Sequence, residues 1–157
     1  MAKTLYMETT KIPVSKTIGE IEWYLAQAGA TGIAKEYGPD KEPNAVMFKL
    51  PVEGGVELPF MLPANAEPVF EHLQAKRSVQ YRRKGAERDR EQAPRVAWRQ
   101  ILKWVQAQLA LMETGMVKAE EIFLPYMQVG LKETLYQRFA KEGFQGKLLT
   151  AGQGDEP

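Results

Sequence analysis

Apolar residues recur along this chain first at helical spacing, then in alternation, then at helical spacing again. Ile18, Ile21, Leu25 and Ala28 form one helical stripe, which Trp23 and Tyr24 widen. Thr17-Ile18-Gly19-Glu20 reads as a capping box, with the threonine hydroxyl accepting from a first-turn amide and the glutamate reaching back. Gly29 is a natural stop, so a helix is predicted over residues 17–28. Residues 1–14 are predicted to be extended or irregular, because Ile12-Pro13 disfavours a helix there.

Alternation follows. Thr31–Tyr37 alternates apolar and polar positions until Gly38-Pro39-Asp40 breaks it. Ala45–Leu50 places Val46, Phe48 and Leu50 on one side, and Val56–Leu62 does the same with Val56, Leu58, Phe60 and Leu62. Glu53-Gly54-Gly55 between them is a hairpin turn, and Pro59 marks an edge strand. A three-stranded antiparallel meander with one apolar face is predicted.

Helical spacing then resumes. Asn65 caps a helix with Pro68 in its first turn and Val69, Phe70 and Leu73 facing the core. It is expected to reach about Arg83, where Lys84-Gly85 interrupts it. Val96, Ile101, Leu102, Val105, Leu109 and Met112 mark a second helix over 86–113, flanked by Trp98 and Trp104 and started or kinked by Pro94. Shorter helices are predicted near Lys118–Leu124 and over Leu131–Glu142, where Leu135, Phe139 and Tyr136 are candidates for the inner face. A sheet with one apolar face needs cover and the helices supply it, so the fold class is α+β. Residues 1–83 are expected to form an α-β-β-β-α core, 84–147 a helical extension, and the Gly-rich, acidic 148–157 a disordered tail.

Composition narrows the chemistry. No cysteine is present, so disulfides, thiol nucleophiles and cysteine metal sites drop out. His72 is the single histidine and reads as a surface or half-buried helix residue. Glu120-Glu121, Asp40, Glu42 and Asp89 lack ligand spacing, and Gly54-Gly55 lacks the Gly-Lys-Ser/Thr context of a phosphate loop. The expectation is a non-enzymatic protein without cofactor or metal. No apolar run is long enough for a membrane span, so a cytoplasmic setting is expected.

Charge changes the picture most. The chain has net charge +1. Between Lys76 and Lys103, however, ten basic residues face three acids, leaving eleven basic against seventeen acidic residues elsewhere. Arg77, Tyr81, Arg82, Arg83, Lys84, Arg88, Arg95 and Arg99 are therefore candidate nucleic-acid contacts. Arginine forks suit phosphate oxygens, and Tyr81 can stack on a base, which favours single strands. Arg88, Arg95 and Arg99 fall near one helix face, which Lys84 and Lys103 extend. Three other readings stay open: ordinary intrahelical pairs among Arg88, Asp89, Arg90 and Glu91, cations that neutralise the acidic remainder of the fold or of a partner subunit, or an assembly module whose basic helix meets an acidic partner. The apolar width of the Trp98–Met112 helix suggests a homo-oligomer.

Two resemblances accompany these patterns. The order helix, three strands, helix over Thr17–Arg83 resembles the double-stranded-RNA-binding domain. Here Pro63–Pro68 replaces that family's Gly-x-Gly and lysine clamp without any cation, so no residue is carried over. Arg95–Gln100, Trp104–Ala110, Thr114–Val117, Phe123–Tyr126 and Met7–Pro13 look like a set of small uncharacterised proteins of bacterial phages and mobile elements. That likeness implies a role accessory to replication or recombination.

Overall fold

The computed structural model describes residues 3–144. Helix α1 (Val14–Gln27) begins three residues before the expected start, behind an extended Pro13. The predicted capping box is not made. Thr17 lies inside the first turn, fully buried, and its hydroxyl donates to the Pro13 carbonyl at 3.4 Å. Glu20 instead receives Arg99.

Strands β1 (Thr31–Tyr37), β2 (Pro43–Pro51) and β3 (Glu57–Pro63) form an antiparallel sheet in that order, as the alternation predicts. Val46 pairs with Leu62, Phe48 with Phe60 and Leu50 with Leu58, which fixes one apolar face. Gly54 and Gly55 both take positive φ in the β2–β3 turn, a conformation open to glycine without Cβ strain. Pro59 sits on β3, a terminal strand of the sheet.

Helix α2 (Glu67–Ala75) starts where Asn65 Oδ1 accepts from the Glu67 amide at 3.2 Å. It ends eight residues before Arg83, and Lys76-Arg77-Ser78 turns the chain. Helix α3 (Val79–Glu113) then runs for 35 residues without a break, through Gly85 and Pro94. The expected interruption at Lys84-Gly85 is absent, and the boundary drawn between 83 and 84 lies inside this helix. At a rise of about 1.5 Å per residue α3 is roughly 50 Å long.

The core lies between the sheet, α1 and α3. Ile18, Ile21 and Leu25 of α1 meet Trp98, Leu102 and Val105 of α3 over Phe48 and Phe60. A second cluster joins Val69 and Leu73 of α2 to Ala93, Val96 and Ala97 of α3. Helix α4 (Ala119–Phe123) inserts Phe123, whose ring lies 5.4 Å from Phe48 and 5.7 Å from Trp104. Around its two tryptophans α3 is covered within the chain: Trp98 is buried, and Trp104 packs on Phe123 and Tyr126. Of the Trp98–Met112 surface expected to drive oligomerisation, the Trp98 part is buried, while Leu109 and Met112 line a groove with Trp23.

After a 3-10 turn at Leu124–Tyr126, the predicted Leu131–Glu142 helix is only its second half, α5 (Leu135–Lys141). A small hairpin, β4 (Gln128–Gly130) and β5 (Glu133–Thr134), takes the first. Leu135 and Phe139 are half-buried and Tyr136 is exposed. The tail expected to be disordered lies outside the described residues.

Candidate nucleic-acid interface

The ten cations of the basic segment divide by what surrounds them. Four hold the fold together. Lys76 pairs with Glu8, whose carboxyl the ammonium hydrogen bond holds below the usual range. Arg90 meets Glu67 at 2.6 Å and lies 3.5 Å over the Phe70 ring. The first joins the N-terminal segment to the end of α2, and the second joins α2 to α3.

Arg77 makes a two-pronged bond to Asp89, Nε to Oδ2 at 2.8 Å and Nη2 to Oδ1 at 3.0 Å. Gln74 donates to the same Oδ2 at 2.7 Å. The Arg77 bond, with help from Gln74, keeps the Asp89 carboxyl well below its ordinary value against the burial that opposes it. Arg99 is buried, donating to Glu20 at 2.5 Å and to Thr17 Oγ1 at 3.5 Å. Arg77 and Arg99, both expected at the interface, are therefore structural. Tertiary pairing with carboxylates far along the chain removes them, and helical spacing alone does not register it.

The other candidates stay in water. Tyr81, Arg82, Arg83, Lys84 and Arg88 are all exposed. Arg82 Nε donates to the Arg77 carbonyl at 3.3 Å. Arg83, Lys84 and Arg88 make no salt bridge among the described residues. Tyr81, Lys84 and Arg88 fall at i, i+3 and i+7 and share one face of α3. Tyr81 is 53% exposed, so its ring is open to stacking.

Beyond Arg88 the expected track breaks. Arg95 is half-buried and lines a groove of about 800 Å³ between α1, the β1–β2 turn and α3. That groove holds Asp40, Glu42, Glu87 and Glu91 against Lys35, Arg90 and Arg95, so it does not prolong a positive surface. Gln92, on the Tyr81–Arg88 face, donates to the carbonyls of Glu8 and Thr10, both at 2.8 Å. The basic stripe thus ends where the N-terminal segment crosses it. Gln92 and Glu8 were invisible as neighbours in the sequence, being 84 residues apart.

Among the described residues no three His, Cys, Asp or Glu side chains gather as a metal site, and no helix is long and apolar enough to cross a membrane. No family model, no curated protein and no solved structure matches the chain.

Proposed function

We propose that this chain is a non-enzymatic nucleic-acid-binding protein, favouring single-stranded DNA, accessory to phage or mobile-element replication or recombination. One observation carries the binding itself: Tyr81, Lys84 and Arg88 share a water-facing stripe, with Arg82 and Arg83 on the same turns. Cations held at fixed helical intervals and not neutralised by carboxylates suit a row of phosphates, and the ring among them suits an unpaired base. Contacts of this kind read the backbone, so they give little sequence preference and strong salt sensitivity.

Fluorescence anisotropy with labelled oligothymidine at two salt concentrations tests the reading. Binding should weaken steeply with salt, and the pair Lys84→Glu with Arg88→Glu should weaken it at least about tenfold while leaving the fold intact. No binding at low salt to any oligonucleotide ends the proposal.

A second reading, an interaction module, has its own observation. Trp23 is 57% exposed beside Tyr24, Ala28, Leu109 and Met112 in a groove between α1 and α3. Light scattering that gives a stable oligomer, lost in Trp23→Ala, would favour that reading.

A further inference from the structure

The N-terminal segment is pinned to the helices mostly by polar side chains that grip its backbone. His72 Nε2 meets the Lys3 carbonyl at 2.8 Å, and Gln100 donates to the Tyr6 carbonyl at 2.8 Å. Gln92 holds the carbonyls of Glu8 and Thr10. Turns close within the segment itself, from the Glu8 amide to the Leu5 carbonyl and from the Thr10 amide to the Met7 carbonyl, both at 3.1 Å. Met7 takes a left-handed φ of 64°, a strained backbone for a side chain of its size. Among the described residues of the segment, Leu5 is the one packed on the α2–α3 cluster. A segment held by few apolar contacts and mainly by side-chain hydrogen bonds to its backbone belongs to the less stable part of a fold.

Its charge is placed at the end of the basic stripe. Glu8 takes Lys76, the first cation of the basic segment, and its backbone rests on Gln92, one turn from Arg88. A phosphate chain following Tyr81, Lys84 and Arg88 therefore meets a carboxylate already bound to the next cation.

We propose that residues 5–10 form an intramolecular cover over this face, with Glu8 and nucleic-acid phosphate competing for Lys76. The inference rests on the nucleic-acid reading above. The cover lowers affinity in the free protein and lifts as a strand binds, which adds Lys76 to the contact row. Phosphate outcompetes Glu8 only where neighbouring cations hold it, so the device selects long anions over isolated ones.

Salt titration of oligothymidine binding tests it in the full chain. Glu8→Gln should bind about threefold or more tighter at low salt with the wild-type log–log salt slope, because Lys76 meets phosphate in both bound states, whereas Lys76→Gln alone should flatten that slope by about 0.7, the share of one phosphate on a single strand. Glu8→Gln with Lys76→Gln should lose that gain. Glu113→Gln, which changes net charge equally at the far end of α3, should leave the affinity unchanged. In the unaltered protein, added oligothymidine should speed amide hydrogen exchange at Leu5, Glu8 and Thr10 while slowing it at Tyr81–Arg88. Wild-type binding with no tighter binding in Glu8→Gln, or with no faster exchange in the segment, overturns the cover alone. Absence of wild-type binding removes the nucleic-acid reading and the cover with it.

Discussion

Arg77 reaches Asp89 by crossing the backbone of α3 at Gly85. A Cβ at position 85 would lie 2.3 Å from the Arg77 Nε, far inside contact distance. Alanine in a helix interior is worth about 1 kcal/mol over glycine, so Gly85→Ala should stabilise an ordinary helix. Here it must displace a guanidinium bonded to a buried carboxylate, a loss of about 2–3 kcal/mol. We predict that Gly85→Ala lowers stability by about 1–2 kcal/mol, and that the same change in an Arg77→Ala background raises it, as denaturant titration will show. Arg99 makes a similar case. Arg99→Leu should lower the melting temperature and leave the salt slope of oligonucleotide binding as it was. Arg88→Glu should do the reverse, since Arg88 is exposed and Arg99 is bonded inward to Glu20 and Thr17. Both arginines look alike in sequence; only the carboxylate delivered by α1 separates them.

Two segments carry the same capping pattern, and only one makes the cap. Thr134 and Gln137 bond reciprocally at the start of α5, the Thr134 amide to Gln137 Oε1 at 2.9 Å and the Gln137 amide to Thr134 Oγ1 at 3.3 Å. Thr17 and Glu20 match the pattern equally, but nothing prevents α1 from starting at Val14, and Arg99 claims both side chains. The strands and the β2–β3 hairpin were legible because period-two alternation and a Gly-Gly turn are local signals. The extent of α3 was not. Gly85 argued for a break on propensity, whereas the structure uses its missing side chain as a passage for Arg77. Of the candidate site, spacing put Lys84 and Arg88 on one face with Arg95 and Arg99; Lys84 and Arg88 stay exposed, and Tyr81 joins them on that face in the structure. The departures of Arg77, Arg95 and Arg99 depended on contacts from α1, the β1–β2 turn and the α2–α3 turn. Exchanging Thr134 for alanine should cost about 1 kcal/mol by unmaking a real cap. Thr17→Ser, which keeps the hydroxyl at a site where no cap exists, should cost only the loss of one buried methyl group, about 1 kcal/mol, through packing.

Over the whole molecule, the basic segment spends part of its charge on internal pairs and keeps the rest for solvent, and pH distinguishes the two uses. Asp89 is nearly buried, and Arg77 holds its folded-state pKa below the unfolded value of about 3.9. A depressed carboxylate contributes stability that is full above the unfolded pKa and is lost as pH falls through the lower, folded one. Asp89→Asn removes that contribution at every pH. The wild type should therefore melt higher than Asp89→Asn at pH 7 by an amount that stays constant down to about pH 5. The gap should close as the solution is taken through and below about pH 4, where the wild-type pair is itself protonated away. Melting curves of both proteins across that range measure it directly. A gap that keeps its full size in acid would mean that Arg77 and Asp89 contribute by packing alone and that their charges carry no share of the α2–α3 junction. Among the described residues the exposed Lys84 and Arg88 pair with no carboxylate, so over the same range the Lys84→Glu and Arg88→Glu variants should track the wild type in shape. The separation between cations that fix the fold and cations that face water is thus a measurable property of the chain, independent of the ligand assigned to the free ones.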